Sequence, residues 1–336
     1  MRTPRLACAF SLLVLVPTVA AGCGSSSDDG GGGSAAASSS SSGGGSETVN
    51  VGVLPISAVA PVYLGIDKGF FREQGLDVKP QVAQGGAAIV PEVVSQDVAF
   101  GYANPGSILL ANAKGLPLQI VSEGNQNAEQ ESSDPETLVA KASTITDPKQ
   151  LEGQKVAVDT LGGLTELSVR DALRKLGVDD SKVTFVEIGF PDMGTALDSG
   201  RVAAAAMNEP FVTQQVRAGG MRELTHPFFA ALGPGASISE YFTSAQYARA
   251  HPDTVTRFQT AMKRSLAYAQ AHPDEVRDIV RTYTKTDPAT LQAMKLTSFS
   301  PDLNTASIRK IADLMVQYGQ LDAQPRDFTT LLGPGA

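Results

Sequence analysis

The clearest alternation of apolar and polar positions runs through residues 155–176, KVAVDTLGGLTELSVRDALRKL. Val156, Ala157 and Val158 form an apolar run of the length of a buried strand. The run stops at Asp159-Thr160-Leu161-Gly162-Gly163, where two glycines allow backbone angles that other residues avoid. Val169, Ala172, Leu173 and Leu176 then recur at i, i+3, i+4 and i+7, which predicts an amphipathic helix. Arg174 and Lys175 suit its C-terminal end and Gly177 can cap it. Leu164 and Leu167 fall off the stripe and are expected to line a cleft.

The same alternation continues on both sides. Upstream, strands are expected at 48–54, 76–80, 97–101 and 118–121. Helices are expected from Pro61 to Lys68, after Gly85-Gly86, and from Pro105 to Lys114 with Asn104 as N-cap. Pro91 is expected to delay the second of these, because it removes a backbone donor beyond the first turn. Downstream, strands are expected at 138–141, 183–188 and 202–207. A short helical turn at 147–151 and helices at 191–198 and from Pro210 to Gly219 separate them. Strand–helix alternation of this kind implies a parallel sheet with helices on both faces. A strand at 239–243 is expected to return to the first lobe. Helices follow, with a stripe at Val255, Phe258, Met262 and Leu266 and further starts near Pro273, Pro288 and Asn304, all expected to pack on the first lobe.

One unit occurs twice. SQDVAF at 95–100 precedes Asn104-Pro105, a helix and Gly115; SGRVAA at 199–204 precedes Asn208-Glu209-Pro210, a helix and Gly219. The runs match with a one-residue slip, although proline is common at helix starts and coincidence is the alternative. Ligands of open α/β sheets sit beyond the carboxyl ends of the strands, and small-molecule sites favour clefts between domains. Two such lobes would set Ser57, Gly86 and Asn104 opposite Gly163, Thr165 and Glu209.

The turn at 159–163 carries the candidate chemistry. A helix N-terminus offers unpaired N–H groups and a partial positive charge, and glycine lets a ligand approach closely. Thr165 adds a hydroxyl. There is no GxGxxG and no Gly-Lys-Ser/Thr, so neither a dinucleotide fingerprint nor a P-loop is present. An ordinary strand-to-helix turn is the plain alternative. Glu209 has two readings as well: a carboxylate facing the cleft would repel an anion and suit an amine, whereas one serving its own helix says nothing about ligand.

With 336 residues the chain has room for about two domains. A formal charge of −8 argues against sequence-independent nucleic-acid binding. The two cysteines, Cys8 and Cys23, both lie at the N-terminus, so the folded part has no disulfide or thiol chemistry. His226, His251 and His272 lack metal-ligand spacing; His251-Pro252-Asp253 and His272-Pro273-Asp274 read as helix starts. No metal or cofactor is expected.

Arg2 and Arg5 precede an apolar run at 6–16, too short to span a bilayer, as in a signal peptide over residues 1–22. Val19-Ala20-Ala21-Gly22-Cys23 resembles the lipobox of bacterial lipoproteins, whose cysteine is acylated; an ordinary signal peptide with a chance cysteine is the alternative. Residues 23–46 are almost wholly Gly, Ser, Ala and Asp after Cys23 and read as a disordered linker. The globular part is thus expected outside the cytoplasm, tethered to the cell membrane, where no ATP and no ready nicotinamide pool exist.

Tyr63-Leu64-Gly65-Ile66-Asp67-Lys68-Gly69-Phe70-Phe71 with Gly75-Leu76-Asp77-Val78, then Lys155-Val156-Ala157-Val158 with Gly162-Gly163, then Asn208-Glu209-Pro210-Phe211, together resemble the periplasmic binding proteins of ABC importers. The similarity is to the SsuA/TauA-like group of sulfonate, taurine and nitrate receptors and thiamine-pyrimidine-precursor binders. It implies an α/β, two-lobed, type II-like Venus flytrap, each lobe a mixed sheet flanked by helices. Lobe 1 would comprise 47–124 plus 237–336 and lobe 2 would comprise 125–236. The implied ligand contacts are Ile56, Ser57, Ala58, Gly86, Asn104, Gly162, Gly163, Leu164, Thr165, Asn208 and Glu209. Asn208 stands where the group usually has Trp, and Gly163 where Ser is usual.

The expected function is therefore a monomeric, lipid-anchored solute-binding protein that presents a small organic or anionic solute of the sulfonate, nitrate or taurine kind to a membrane permease. A pyrimidine-like heterocycle is the alternative ligand, and a ligand-sensing lipoprotein the alternative role. An enzyme is not expected: no Ser-His-Asp set, metal cluster or acid pair marks the strand tips, and the cysteine-rich iron motif of the superfamily's eukaryotic pyrimidine synthases is absent.

Overall fold

A computed structural model describes residues 46–325 and 328–333. The signal peptide, Cys23 and nearly all of the linker lie outside the described residues. Ten strands follow in chain order: β1 (Glu47–Val53), β2 (Leu76–Val82), β3 (Phe100–Ala103), β4 (Leu118–Gln126), β5 (Thr137–Lys141), β6 (Lys155–Val158), β7 (Thr184–Glu187), β8 (Ala204–Met207), β9 (Met221–Thr225) and β10 (Ser237–Ser244). They form two five-stranded mixed sheets, ordered β2-β1-β3-β10-β4 and β7-β6-β8-β5-β9. In each sheet a central strand, β1 or β6, has two parallel neighbours. Beyond the third strand lies one antiparallel strand, β10 or β5, that also pairs with the last. The sheets share one topology, so the two Pro-headed units occupy equivalent places, after β3 and after β8, and are not a coincidence. The α/β two-lobed architecture stands.

Apolar periodicity explains most elements. Val49, Val51 and Val53 alternate on β1 and are buried. On the helix Leu164–Lys175, Val169, Ala172 and Leu173 are buried, whereas Leu176 is 43% exposed at the C-cap. Leu164 and Leu167 are both fully buried in the main core, which draws on both sheets. Pro91 does not delay its helix, which runs Gly86–Ser95 with the proline inside. Burial of Ile89, Val90 and Val93 holds that helix on the sheet despite the missing donor. The strand expected at 97–101 begins only at Phe100, since the Val98 amide returns to the Glu92 carbonyl.

The C-terminal helices start where the prolines and Asn304 place them, at Pro273, Pro288 and Thr305. They do not pack on the first lobe alone. Helix Pro288–Ala293 also meets Phe211–Ala218, and helix Thr305–Gln317 also meets Leu164–Lys175 and Pro227–Leu232 of the second lobe. Tyr318 donates to Asp171 (2.9 Å) and Lys310 to the Leu232 carbonyl (3.0 Å) across that boundary. Sequence periodicity reports which face of a helix is apolar, not which neighbour covers it.

Candidate functional site

The carboxyl ends of β1, β2 and β3 face those of β6 and β8 across one seam. Ser57 follows β1 and donates its backbone N–H to the Glu209 carbonyl after β8 (2.8 Å). Asn104 follows β3 and caps helix Pro105–Ala113, its Oδ1 accepting from the Ser107 amide (2.9 Å). The same Oδ1 also accepts from the Leu164 amide in the other lobe (3.3 Å). Gly163, the N-cap of that facing helix, lies so close that an added Cβ would stand 3.4 Å from Ser107 Oγ. Ser57, Asn104, Gly163, Leu164 and Glu209 are therefore brought together. Gly86 is the first residue of its helix and packs on Ala103 at the end of β3. Ile56 and Ala58 are buried beside Ser57, and the Ile56 carbonyl accepts from Tyr283 (3.1 Å).

Three of the four amides of the 161–164 turn are already used. Leu161 N–H donates to Glu187 Oε2 (3.0 Å), Gly162 N–H to Glu166 Oε2 (2.9 Å) and Leu164 N–H to Asn104 Oδ1. Gly162 takes φ +72°, a left-handed conformation that favours glycine. A turn expected to offer donors to an anion thus spends three of its four amides on the chain's own oxygens. Glu209 follows the same logic. Its carboxylate accepts from Thr213 N–H (3.1 Å), Thr213 Oγ1 (2.7 Å) and the Lys295 amide (3.2 Å), so the side chain serves its own helix and a crossing segment. Burial raises its pKa to about 6.

Buried oxygens without partners gather at the seam, two on carboxyl groups and two on hydroxyls that both donate and accept. Ser57 Oγ, Ser107 Oγ, Glu136 Oε1 and Asp159 Oδ1 are buried without a hydrogen-bond partner. Glu136 immediately precedes β5, and its other oxygen accepts from Asn208 Nδ2 (3.1 Å). Asp159 immediately follows β6, and its Oδ2 accepts from Thr160 Oγ1 (3.3 Å). Burial, then the nearby Asp159 and Asp134 charges, pushes Glu136 well above the usual carboxylate range. Burial likewise raises Asp159. No lysine or arginine pairs with either carboxyl in the described residues. Thr165 is buried on the first turn of its helix, its hydroxyl against Asp159, where it partly offsets the burial that raises that carboxyl.

Asp159 stood in the sequence at the foot of a strand, where the carboxyl-end rule points. Glu136 did not: it precedes an antiparallel strand, and only the pairing of Thr137 with Met207 carries it to the same rim. Among the described residues no group of three or more His, Cys, Asp or Glu side chains is placed to hold a metal ion.

Solved structures share this architecture. A ligand-binding component of an ABC-type import system from Staphylococcus aureus, solved with zinc bound, superposes with a TM-score of 0.74 at 15% identity, covering 86% of this chain and 97% of that one. The alkanesulfonate-binding protein SsuA from Xanthomonas axonopodis pv. citri, bound to MOPS, gives 0.68 at 17% identity over 85% and 96%. By sequence, the riboflavin-binding protein RibY of Chloroflexus aurantiacus is 27% identical over 245 residues, 69% of this chain. The chain spans 64% of the length of that relative. The model of the NMT1/THI5-like family matches residues 57–276, which hold β2 to β10, and the chain belongs to that family.

Proposed function

We propose that this protein is the extracytoplasmic receptor of an ABC importer, tethered through an acylated Cys23, which closes its two lobes on one small organic solute and delivers it to a permease. Ile56, Ser57, Ala58, Gly86, Asn104, Gly162, Gly163, Leu164, Thr165, Asn208 and Glu209 remain its candidate contacts, and Glu136, Asp159 and Ser107 join them. The solute is a neutral or cationic heterocycle with N–H donors, of the aminopyrimidine or flavin kind, rather than a sulfonate or nitrate. The observation that carries this choice is the reversal of polarity at the seam. The amides at 161, 162 and 164 are capped by Glu187, Glu166 and Asn104, while buried carboxyl oxygens of Glu136 and Asp159 lack donors. A buried acceptor without a donor costs about 1–3 kcal/mol, which a donor-bearing ligand relieves and an anion worsens. The relative named for riboflavin binding supports a heterocycle; the neighbour named for alkanesulfonates supports the fold.

Thermal unfolding across a ligand panel tests this. Aminopyrimidines or riboflavin are expected to raise the melting temperature through linkage, and taurine, alkanesulfonates and nitrate to leave it unchanged. Stabilisation by a sulfonate with none by any donor heterocycle rejects the ligand class.

A further inference from the structure

Beside the seam lies a cavity of about 210 Å³, walled by Pro91 and Leu110 of the first lobe and by Leu161 of the second, with Ser107, Lys114, Thr160 and Glu187 at its polar edge. Three features set it apart. Leu161 is 45% exposed, one of few large apolar side chains left so among the described residues. Its backbone is held in place by the bond from its N–H to Glu187 Oε2, so the side chain is presented by a fixed turn. Ser107 lines the same cavity, and its buried Oγ has no partner. Thr160 and Ser107 stand between the cavity and the seam. Thr160 bonds Asp159 with its hydroxyl, and an added Cβ at Gly163 would lie 3.3 Å from its Cγ2 and 3.4 Å from Ser107 Oγ.

We propose that this cavity is a second subsite, which takes a flat, uncharged, apolar ring joined to the donor-bearing head held at Glu136 and Asp159. The solute is then bipartite, and a bare pyrimidine fills only half of its site. This rests on the solute-receptor function above. An apolar wall around one buried hydroxyl suits a fused aromatic ring with a single acceptor on its edge, with the charges of Lys114 and Glu187 confined to the exposed rim.

Two probes separate head from extension. 4-Aminopyrimidine and 4-aminoquinazoline share the amino-nitrogen edge and differ by one fused benzo ring. Calorimetric titration of the wild-type chain is expected to show the quinazoline binding roughly tenfold more tightly, as burial of a small apolar surface allows. In Leu161→Asn, an exposed change that leaves the backbone bond to Glu187 intact, that advantage is expected to shrink to about threefold or less, with 4-aminopyrimidine affinity unchanged. Equal affinities in the wild-type chain, or an advantage that survives Leu161→Asn, overturns the second subsite while leaving the receptor function standing. Binding of neither probe removes the donor-head assignment and this subsite with it.

Discussion

At the scale of single residues, the proposed ligand chemistry and the pH response both rest on buried carboxyls. Glu136 and Asp159 face the seam with one oxygen each unpaired. Glu136→Gln and Asp159→Asn keep the shape and place an amide donor where the ligand's own donor would sit. Each is expected to weaken heterocycle binding about tenfold or more, since a buried unmatched pair costs of order 1–3 kcal/mol. Undiminished affinity in both variants, read by titration, would remove these carboxyls from the site. Glu240, on β10, is a different case: it is 0% exposed, and neither oxygen has a partner. Beside it, Glu123 collects Gly124 N–H (3.3 Å), Gln126 Nε2 (3.1 Å), the Asn304 amide (3.2 Å) and Ser237 Oγ. Burial raises Glu123 to about 7, and burial with the Glu123 charge raises Glu240 well above its ordinary value. Both acids hold their protons more tightly folded than unfolded. Their contribution to stability is complete below the ordinary carboxylate range and is lost as pH rises through the folded values. Glu240→Gln removes one titrating group, so its melting temperature relative to wild type is expected to climb by about 2–4 °C between about pH 5 and about pH 8. A difference that does not change with pH rejects the assignment.

At the scale of elements, one side chain caps two helices. Asn104 Oδ1 accepts from Ser107 N–H in its own helix and from Leu164 N–H in the facing one, whose own N-cap, Gly163, offers no side-chain acceptor. Asn104→Ala loses both bonds, while Asn104→Asp keeps an acceptor for each. The alanine variant is expected to lose about 1 kcal/mol of stability as a lost cap. It should also bind ligand several-fold more weakly than the aspartate variant; similar binding by the two would confine Asn104 to its own helix. Most elements were legible because period-two and period-3.6 patterns are local: β1, the helix Leu164–Lys175 and the Asn104 cap all follow from neighbours in sequence. The polarity of the site was not. That a helix N-terminus would be free for a ligand depends on where Glu187, Glu166 and Asn104 point, and Glu187 and Asn104 reach the turn only through tertiary packing. The register of Thr137 on Met207, which delivers Glu136, is equally non-local.

At the scale of the whole described molecule, the closure proposed above turns on three glycines that meet backbone across the seam. An added Cβ would stand 2.9 Å from the Asp159 carbonyl oxygen at Gly85, 2.7 Å from the Leu164 nitrogen at Gly106 and 3.0 Å from the Gln84 carbonyl oxygen at Gly189. Each clash is with main chain of the other lobe, which cannot rotate aside. Gly163 differs, since its neighbours are side-chain ends of Thr160 and Ser107 at 3.3–3.4 Å, which have room to give. The segments that join the lobes are independently tied. Asn127 N–H donates to the Ala236 carbonyl (2.8 Å), Gln126 pairs with Ser298, and Lys295 Nζ reaches Glu223 (2.7 Å) while its amide holds Glu209. Each lobe should therefore fold normally when the seam is wedged open, and the wedge should act on the equilibrium between open and closed forms alone. Gly106→Ala is expected to raise the radius of gyration in solution scattering by on the order of 1 Å, against about 19 Å for a compact chain of this size. Ligand affinity should fall in proportion to the lost closed population, by about tenfold for each 1.4 kcal/mol of wedging. The melting temperature without ligand should stay within about 2 °C of wild type, well short of the shift that core damage gives. Gly163→Ala serves as the internal comparison, with scattering close to wild type. If Gly106→Ala leaves both scattering and affinity unchanged, the glycine contacts do not govern closure, and the seam must move by a path that avoids Leu164.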